Sequence, residues 1–198
     1  MRSDVIVPLP LYQPDLPENL AIDLRGYKHA EQFIGVLSKY RTSTLRIVDL
    51  NYLFNILIGV AAIQERLCKL TGWTESYHLK IKVLNAWRTI PYVDVPEILQ
   101  RFEKYGPPMC LDSVTSLPRD SGPDNYVEVS RLPEVDSEVT RGIIQALLMF
   151  SGLALAFGIP QWIPHDNEGK VTPYDEALID AGRRAIDVQR LRNSRANP

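Results

Sequence analysis

The alternation of apolar and polar residues is clearest in the stretch YHLKIKVLNAW, which begins at Tyr77. Apolar side chains occupy every second position from Tyr77 to Val83, and His78, Lys80 and Lys82 lie between them. Successive side chains of a strand point to opposite faces, so this period of two predicts one strand with a buried face and a wet face. The wet face carries the histidine and both lysines.

Apolar residues spaced three and four apart predict helices elsewhere in the chain. The first helix covers about 29–40, and the second runs from Asp49 to Gly72. In DVPEILQRFEKYGPP, Asp94 is suited to cap a third helix, and Gly106 followed by two prolines is suited to end it. These three helices are amphipathic or largely apolar, as expected of elements that pack on a common core.

A stretch without any charged side chain extends from Gly142 to Pro164 and reads GIIQALLMFSGLALAFGIPQWIP. It predicts an apolar helix over about 138–158, capped by Asp136 or Ser137. Two environments suit such a helix: the centre of a folded domain and a lipid bilayer. Polar residues within the run, a helical part at the short limit for a span, and flanks without clustered lysine or arginine favour a central core helix. Membrane association through residues 142–164 stays as an alternative.

The segment TPYDEALIDAGRRAIDVQRL predicts an amphipathic C-terminal helix. Acidic residues stand at its start and arginines at its end, which matches the helix dipole. We expect it to end near 192 and residues 193–198 to form a frayed tail. The apolar stripe of this helix could pack on its own domain or on another subunit, and both explain the pattern equally well. For the second alternative, we predict partner contact at Arg184, Val188 and Leu191. The stripe itself consists of Leu178, Ala181, Ala185 and Val188.

The remaining patterns complete the fold prediction. MCLDSVTSL and NYVEVSRL indicate two short strands, and the turn residues of PRDSGPD between them favour a hairpin. Four prolines in residues 1–22 predict an extended arm, packed on its own domain or wrapped around a partner. The order of elements predicts one α+β domain over 23–192, with a small, mostly antiparallel sheet packed against helices.

Composition narrows the classes of function. The 198 residues carry a formal net charge of -2 and a pI near 5.9, which argues against a whole-surface field for nucleic acid or anionic lipid. Neither cysteine has metal-ligand spacing to a histidine or to the other cysteine, so we expect no metal site and no cofactor. The start of the chain does not resemble a secretory signal, and we expect a cytoplasmic protein.

Two groups of residues are candidates for function. His165 beside Asp166, in the loop WIPHDNEG that also holds Trp162, could act as a general base. The wet strand face, His78, Lys80 and Lys82 together with Arg88 and Trp87, could contact nucleic acid or another anion. Each group also has a purely structural interpretation. The loop residues could simply form a turn, and the charged strand face could be a solvated surface that prevents pairing with another strand.

No nucleophile motif, phosphate loop or dinucleotide fingerprint accompanies these residues. The leading hypothesis is therefore a non-catalytic accessory, regulatory or assembly protein. It would act through a protein partner or self-association, with nucleic acid bound on the basic strand face as a variant. A small enzyme with its site near Trp162, His165 and Asp166 is the first alternative, and a membrane-associated protein is the second.

Overall fold

Five helices and seven strands are present in the part of the chain that the computed structural model describes. The described residues are 11–12, 24–39, 46–70, 76–119, 126–130, 137–159 and 173–196. The helices are α1 (Ala30–Ser38), α2 (Leu50–Leu67), α3 (Pro96–Tyr105), α4 (Glu138–Ala156) and α5 (Pro173–Ala196). The strands are β1 (Leu11–Tyr12), β2 (Arg46–Asp49), β3 (Ser76–Leu79), β4 (Ile81–Leu84), β5 (Thr89–Tyr92), β6 (Val114–Leu117) and β7 (Val127–Ser130).

The strands form one sheet of three strands and two sheets of two. In the first sheet, β2 pairs antiparallel with β1 and parallel with β5, so that Asp49 lies opposite Tyr92. The other pairs, β3 with β7 and β4 with β6, are antiparallel. The predicted α+β class with mostly antiparallel pairing is confirmed. The parallel pair is reached through α2, which supplies the long crossover that parallel strands require.

Two details of the strand prediction are wrong. The stretch after Tyr77 does not form one strand, because its pairing partner changes at Lys80 from β7 to β6. The expected hairpin between β6 and β7 is replaced, in the described residues, by pairing of each strand with the stretch 76–84. That stretch is long enough to serve both short strands in succession, so each of them gains its hydrogen bonds there.

The apolar helix is present as α4. The Ser137 hydroxyl caps it by accepting a hydrogen bond from the backbone N–H of Thr140 at 3.3 Å. α4 packs on α2, where the rings of Phe54 and Phe150 meet edge to face with centroids 5.3 Å apart. Its length and composition would suffice to cross a membrane, and half of its most apolar window is buried inside the chain. Core helices pass the same test, so the membrane alternative stays a prediction.

α5 confirms the predicted amphipathic C-terminal helix. All four residues of its stripe are buried, and the helix packs on α2. The close approach requires a glycine: a Cβ at Gly182 would lie 2.9 Å from a ring carbon of Phe54. α5 continues to Ala196, past the end that we predicted at 192.

A buried carboxylate, Asp49, joins four parts of the fold. It stands at the end of β2 and caps α2, accepting hydrogen bonds from the backbone N–H groups of Asn51 at 3.1 Å and Tyr52 at 3.3 Å. The Tyr27 hydroxyl donates to it at 2.7 Å, and the Arg192 guanidinium, from α5, donates at 3.0 Å. Asp49 and Arg192 are both buried, so each charge needs the opposite charge of the other to be stable in the interior.

Asp94 forms a second buried centre and corrects a prediction. It does not cap α3, whose N-cap residue is Val95 and has no side-chain cap. The carboxylate instead accepts from the Tyr92 hydroxyl at 3.0 Å and from the backbone N–H groups of Lys28 and His29 at 2.9 and 2.8 Å. The backbone N–H of Asp94 donates to the side chain of Asn51 at 2.9 Å. The carboxylate that we predicted as the cap of α3 therefore binds the backbone before α1 instead.

Replacing Arg192 with methionine should lower the free energy of unfolding by about 3–5 kcal/mol, because Asp49 would remain buried without its cation. Urea denaturation measures the difference. The matched variant Arg190→Met removes a guanidinium that is 77% exposed on the same helix and should cost no more than about 0.5 kcal/mol. Equal effects of the two substitutions would contradict the role given to the Asp49–Arg192 pair.

The two tyrosines of these centres should make stability fall in alkali. Burial, followed by the charge of Asp49 for Tyr27 and of Asp94 for Tyr92, raises both pKa values well above the ordinary value. The unfolded chain therefore releases these protons near pH 10 while the folded chain retains them, so the free energy of unfolding falls as pH rises. The expected slope is about 1.4 kcal/mol per pH unit for each tyrosine.

Urea denaturation at several pH values on either side of the ordinary tyrosine pKa measures this slope. Tyr92→Phe should make it shallower by one tyrosine's share, even though the variant is less stable at neutral pH. An unchanged slope in Tyr92→Phe would show that the Tyr92 phenol ionises equally in the folded and unfolded chain.

Candidate docking surface

The loop between β4 and β5 has an unusual backbone. Asn85 and Arg88 have φ angles of +59° and +57°, in the left-handed region that glycine adopts most readily. This conformation costs a side-chain-bearing residue roughly 1–2 kcal/mol, and asparagine tolerates it better than arginine does. Ala86, between the two residues, is buried. A loop of this kind persists only where its surroundings hold it.

Hydrogen bonds to neighbouring segments hold the loop at both ends. The backbone N–H of Ala86 donates to the Ser113 carbonyl at 3.1 Å, which extends the ladder between β4 and β6. The N–H of Arg88 donates to the Cys110 carbonyl at 2.8 Å, and the N–H of Cys110 donates to the Thr89 carbonyl at 2.9 Å. The Thr89 hydroxyl closes the loop by donating to the Ala86 carbonyl at 2.7 Å.

This loop presents a tryptophan and an arginine together. Trp87 is 47% exposed, and the Arg88 guanidinium lies 5.8 Å from the centroid of its ring. A second guanidinium, that of Arg46 on β2, donates to the Trp87 carbonyl at 3.0 Å. The backbone that carries the indole is therefore fixed from the sheet as well as from the loop.

Four further apolar side chains are exposed on the segments that adjoin this loop. Leu84, at the end of β4, is 58% exposed and lies directly opposite Val114 on β6. Met109 and Leu111 flank Cys110, whose backbone bonds to Arg88 and Thr89, and Leu111 is 66% exposed. We call this region the Trp87 surface. It consists of Leu84, Trp87, Arg88, Met109, Leu111 and Val114.

The predicted basic strand face divides into two clusters. His78 stacks on Tyr126 with ring centroids 5.8 Å apart, and the Lys80 ammonium lies 5.5 Å from the centre of the same ring. Glu128 is directly opposite His78 in the β3–β7 pair and reduces the positive charge there. Trp87 and Arg88 form the other cluster, with Lys82 exposed on β4 between the two.

Sequence reasoning missed Tyr126, because only the register shows that its strand pairs with β3. It also missed the four apolar neighbours of Trp87, of which Met109, Leu111 and Val114 come from a segment distant in sequence. The exposure of Met109, Leu111 and Val114 is not visible in the sequence, because their segment has no clear period.

The predicted partner contacts on α5 have three different surroundings. Arg184 pairs with Asp180 at 3.1 Å, and hydrogen bonds from Lys28 and then from Arg184 lower the pKa of the Asp180 carboxyl. Val188 lies in the chain's own core, and Leu191 is 46% exposed. Of this set, Leu191 is the apolar side chain that remains accessible.

The predicted loop site at Trp162, His165 and Asp166 lies outside the described residues. Within the described ranges, no group of three or more histidine, cysteine or acidic residues could hold a metal ion.

Two open cavities, of about 340 and 610 Å³, lie beside α4 and α3. Their described linings hold no histidine, cysteine or serine. The known lining residues are Leu117, Val127, Glu128, Val129, Gln145, Leu148 and Met149 for the first, and Ile98, Arg101, Phe102, Tyr105, Gly106, Pro107, Pro108 and Gly158 for the second.

Comparison of the chain with protein-family models, with curated proteins and with solved structures found no match in any of the three. Function is therefore inferred from the geometry of the described residues.

Replacing Arg88 with glycine should raise the free energy of unfolding by up to about 1 kcal/mol, because glycine adopts the positive φ without steric cost. Trp87→Gly is the matched control: φ at Trp87 is not positive, so the glycine relieves nothing and should lower stability. Urea denaturation measures both variants. A loss of stability in Arg88→Gly comparable to that in Trp87→Gly would show that the loop is not strained at Arg88.

Proposed function

We propose that this chain is a non-catalytic accessory protein that acts by binding a partner protein on the Trp87 surface. The observation that carries the proposal is a half-exposed tryptophan beside an arginine, on a loop with two residues in the left-handed conformation. Tryptophan and arginine are the residues most enriched among those that dominate binding energy at protein interfaces. The cytoplasmic location inferred from the sequence stays a prediction.

The rigidity of the loop supports this proposal. Binding normally costs about 0.5–1.5 kcal/mol for each flexible side chain that becomes ordered, and a loop ordered in advance avoids part of that cost. Here Arg46 bonds to the Trp87 carbonyl, and Arg88 bonds to Cys110. The indole is thus offered on a fixed backbone, as an anchor residue needs to be.

The apolar neighbours of Trp87 also support it. Single exposed apolar residues are common on protein surfaces, whereas groups of them around one feature indicate contact sites. Leu84 and Val114 are directly opposite each other, and Met109 and Leu111 flank the residue that pairs with the loop. Burial of such side chains contributes roughly 25 cal/mol for each Å² removed from water. A partner that covers Trp87 would gain this free energy from the same contact.

Nucleic acid is the second candidate partner. The pairing of Lys80 with Tyr126 and of Arg88 with Trp87 favours it, because cations beside exposed rings bind phosphates and stack bases. Glu128 beside the first ring opposes it. Leucine, valine and methionine side chains offer bases no stacking face, and these make up most of the Trp87 surface. We therefore place a protein partner first.

The proposal is tested by selecting binders to the full chain from a random-peptide phage library. Affinities of the selected peptides are then measured by fluorescence anisotropy. Trp87→Ala should weaken them by about 30-fold or more, which corresponds to a loss of at least about 2 kcal/mol and is typical of a dominant interface residue. Far-ultraviolet circular dichroism confirms that the variant is folded.

The matched control is Leu191→Ala, which removes an apolar side chain of the same exposure on α5, 46% against 47% for Trp87. Its affinities should stay within about twofold of the original chain, or about 0.4 kcal/mol. A library that yields no binder, or binders that respond to Leu191→Ala and not to Trp87→Ala, would refute the Trp87 surface as the docking site. The second result would move the contact to the C-terminal helix.

A further inference from the structure

The charges around the Trp87 surface indicate the chemistry of its partner. We infer that the surface accepts an acidic segment of the partner protein in which carboxylate side chains stand next to apolar ones. This inference rests on the proposed function. Three cations, Arg46, Lys82 and Arg88, lie on or beside the surface. Each is attached to an element that also carries part of the surface or fixes its loop.

These three cations have no carboxylate partner in the part of the chain that the structure describes. Elsewhere in that part, Lys28, Lys69 and Arg184 each lie within 3.1 Å of an acidic side chain. Cations that the fold leaves without a counter-charge are available to a ligand, and complementary charge speeds and orients association. A ligand that approaches this surface meets these three cations.

Two of the cations, Arg88 and Lys82, stand next to an apolar side chain, and this adjacency defines the ligand further. The Arg88 guanidinium lies 5.8 Å from the centroid of the Trp87 ring. Lys82 and Leu84 are two apart on β4, both are exposed, and residues so spaced share one face of a strand. A segment that pairs its carboxylates with Lys82 and Arg88 would therefore place the side chains next to them on Leu84 and Trp87. Those neighbouring side chains should be apolar.

Arg46 adds directional hydrogen bonding to this charge. One of its N–H groups donates to the Trp87 carbonyl, and a guanidinium carries five N–H donors. The remaining donors suit a planar carboxylate, which an arginine binds with two parallel hydrogen bonds. Among the described residues of the segment that carries Met109, Leu111 and Val114, Asp112 is an exposed carboxylate, and the three cations outnumber it.

The test uses the peptides that the phage library yields on the full chain. We expect them to be enriched in aspartate and glutamate next to leucine, isoleucine or aromatic residues, relative to the unselected library. Lys82→Glu and Arg88→Glu should each weaken them at least fivefold, mainly by slowing association measured in stopped flow. The control Arg183→Glu makes the same charge change at an exposed position of α5 and should leave the affinity within twofold.

The outcomes separate this inference from the proposed function. Peptides that depend on Trp87 but show no acidic enrichment and no effect of Lys82→Glu and Arg88→Glu would overturn the inference and leave the docking site in place. Loss of dependence on Trp87 would overturn both. Oligothymidylate serves as a third probe: if it binds with an affinity that Trp87→Ala abolishes and displaces the peptides, nucleic acid is the ligand and the inference is overturned.

Discussion

The fold depends on the need of two buried carboxylates, Asp49 and Asp94, for hydrogen-bond donors. An isolated charge in a protein interior is too costly to persist, so every part of the chain that supplies a donor is held in place. Tyr27, before α1, and Arg192, on α5, donate to Asp49, and the backbone N–H groups of Lys28 and His29 donate to Asp94. Asn51 links the two centres, since its side chain contacts both aspartates. The parallel pair of β2 and β5 is thereby joined to the segment before α1 and to α5.

This constraint reaches the docking surface through β5, a strand of four buried residues. Tyr92 at its end bonds to Asp94, and Thr89 at its start bonds to Ala86 in the loop that carries Trp87. A short strand fixed at one end by a buried network cannot shift at the other without breaking those bonds. The same sheet supplies Arg46, which bonds to the Trp87 carbonyl. The network around the buried Asp49 and Asp94 and the exposed tryptophan are therefore connected through β5 and β2.

The helices could be predicted from the sequence because each of them buries one recurring stripe. The start of α2 near Asp49, the apolar helix α4 and the stripe of α5 all follow from spacing. β2 and β5 could not be predicted, because strands that are buried on both faces have no alternation and TIPY contains a proline. The role of Asp94 was misassigned for a related reason: a cap is a local choice, whereas its donors at Lys28 and His29 are distant in sequence. Trp87 and Arg88 were named as a candidate contact, but the position of Met109, Leu111 and Val114 beside their loop depends on a topology that no local pattern shows.

The β4–β5 loop combines a left-handed arginine with an exposed tryptophan, and this combination is what distinguishes a binding surface from a solvated edge. The buried carboxylates Asp49 and Asp94 are paired with donors, and the apolar stripe of α5 faces the core. In the loop, an arginine adopts a conformation suited to glycine and Trp87 is exposed, as is Leu84 at the end of β4. Each departure costs stability, and departures of this kind are expected where function requires them. A solvated edge that only resists pairing would need lysine and glutamate there, and would have no use for a rigidly held indole.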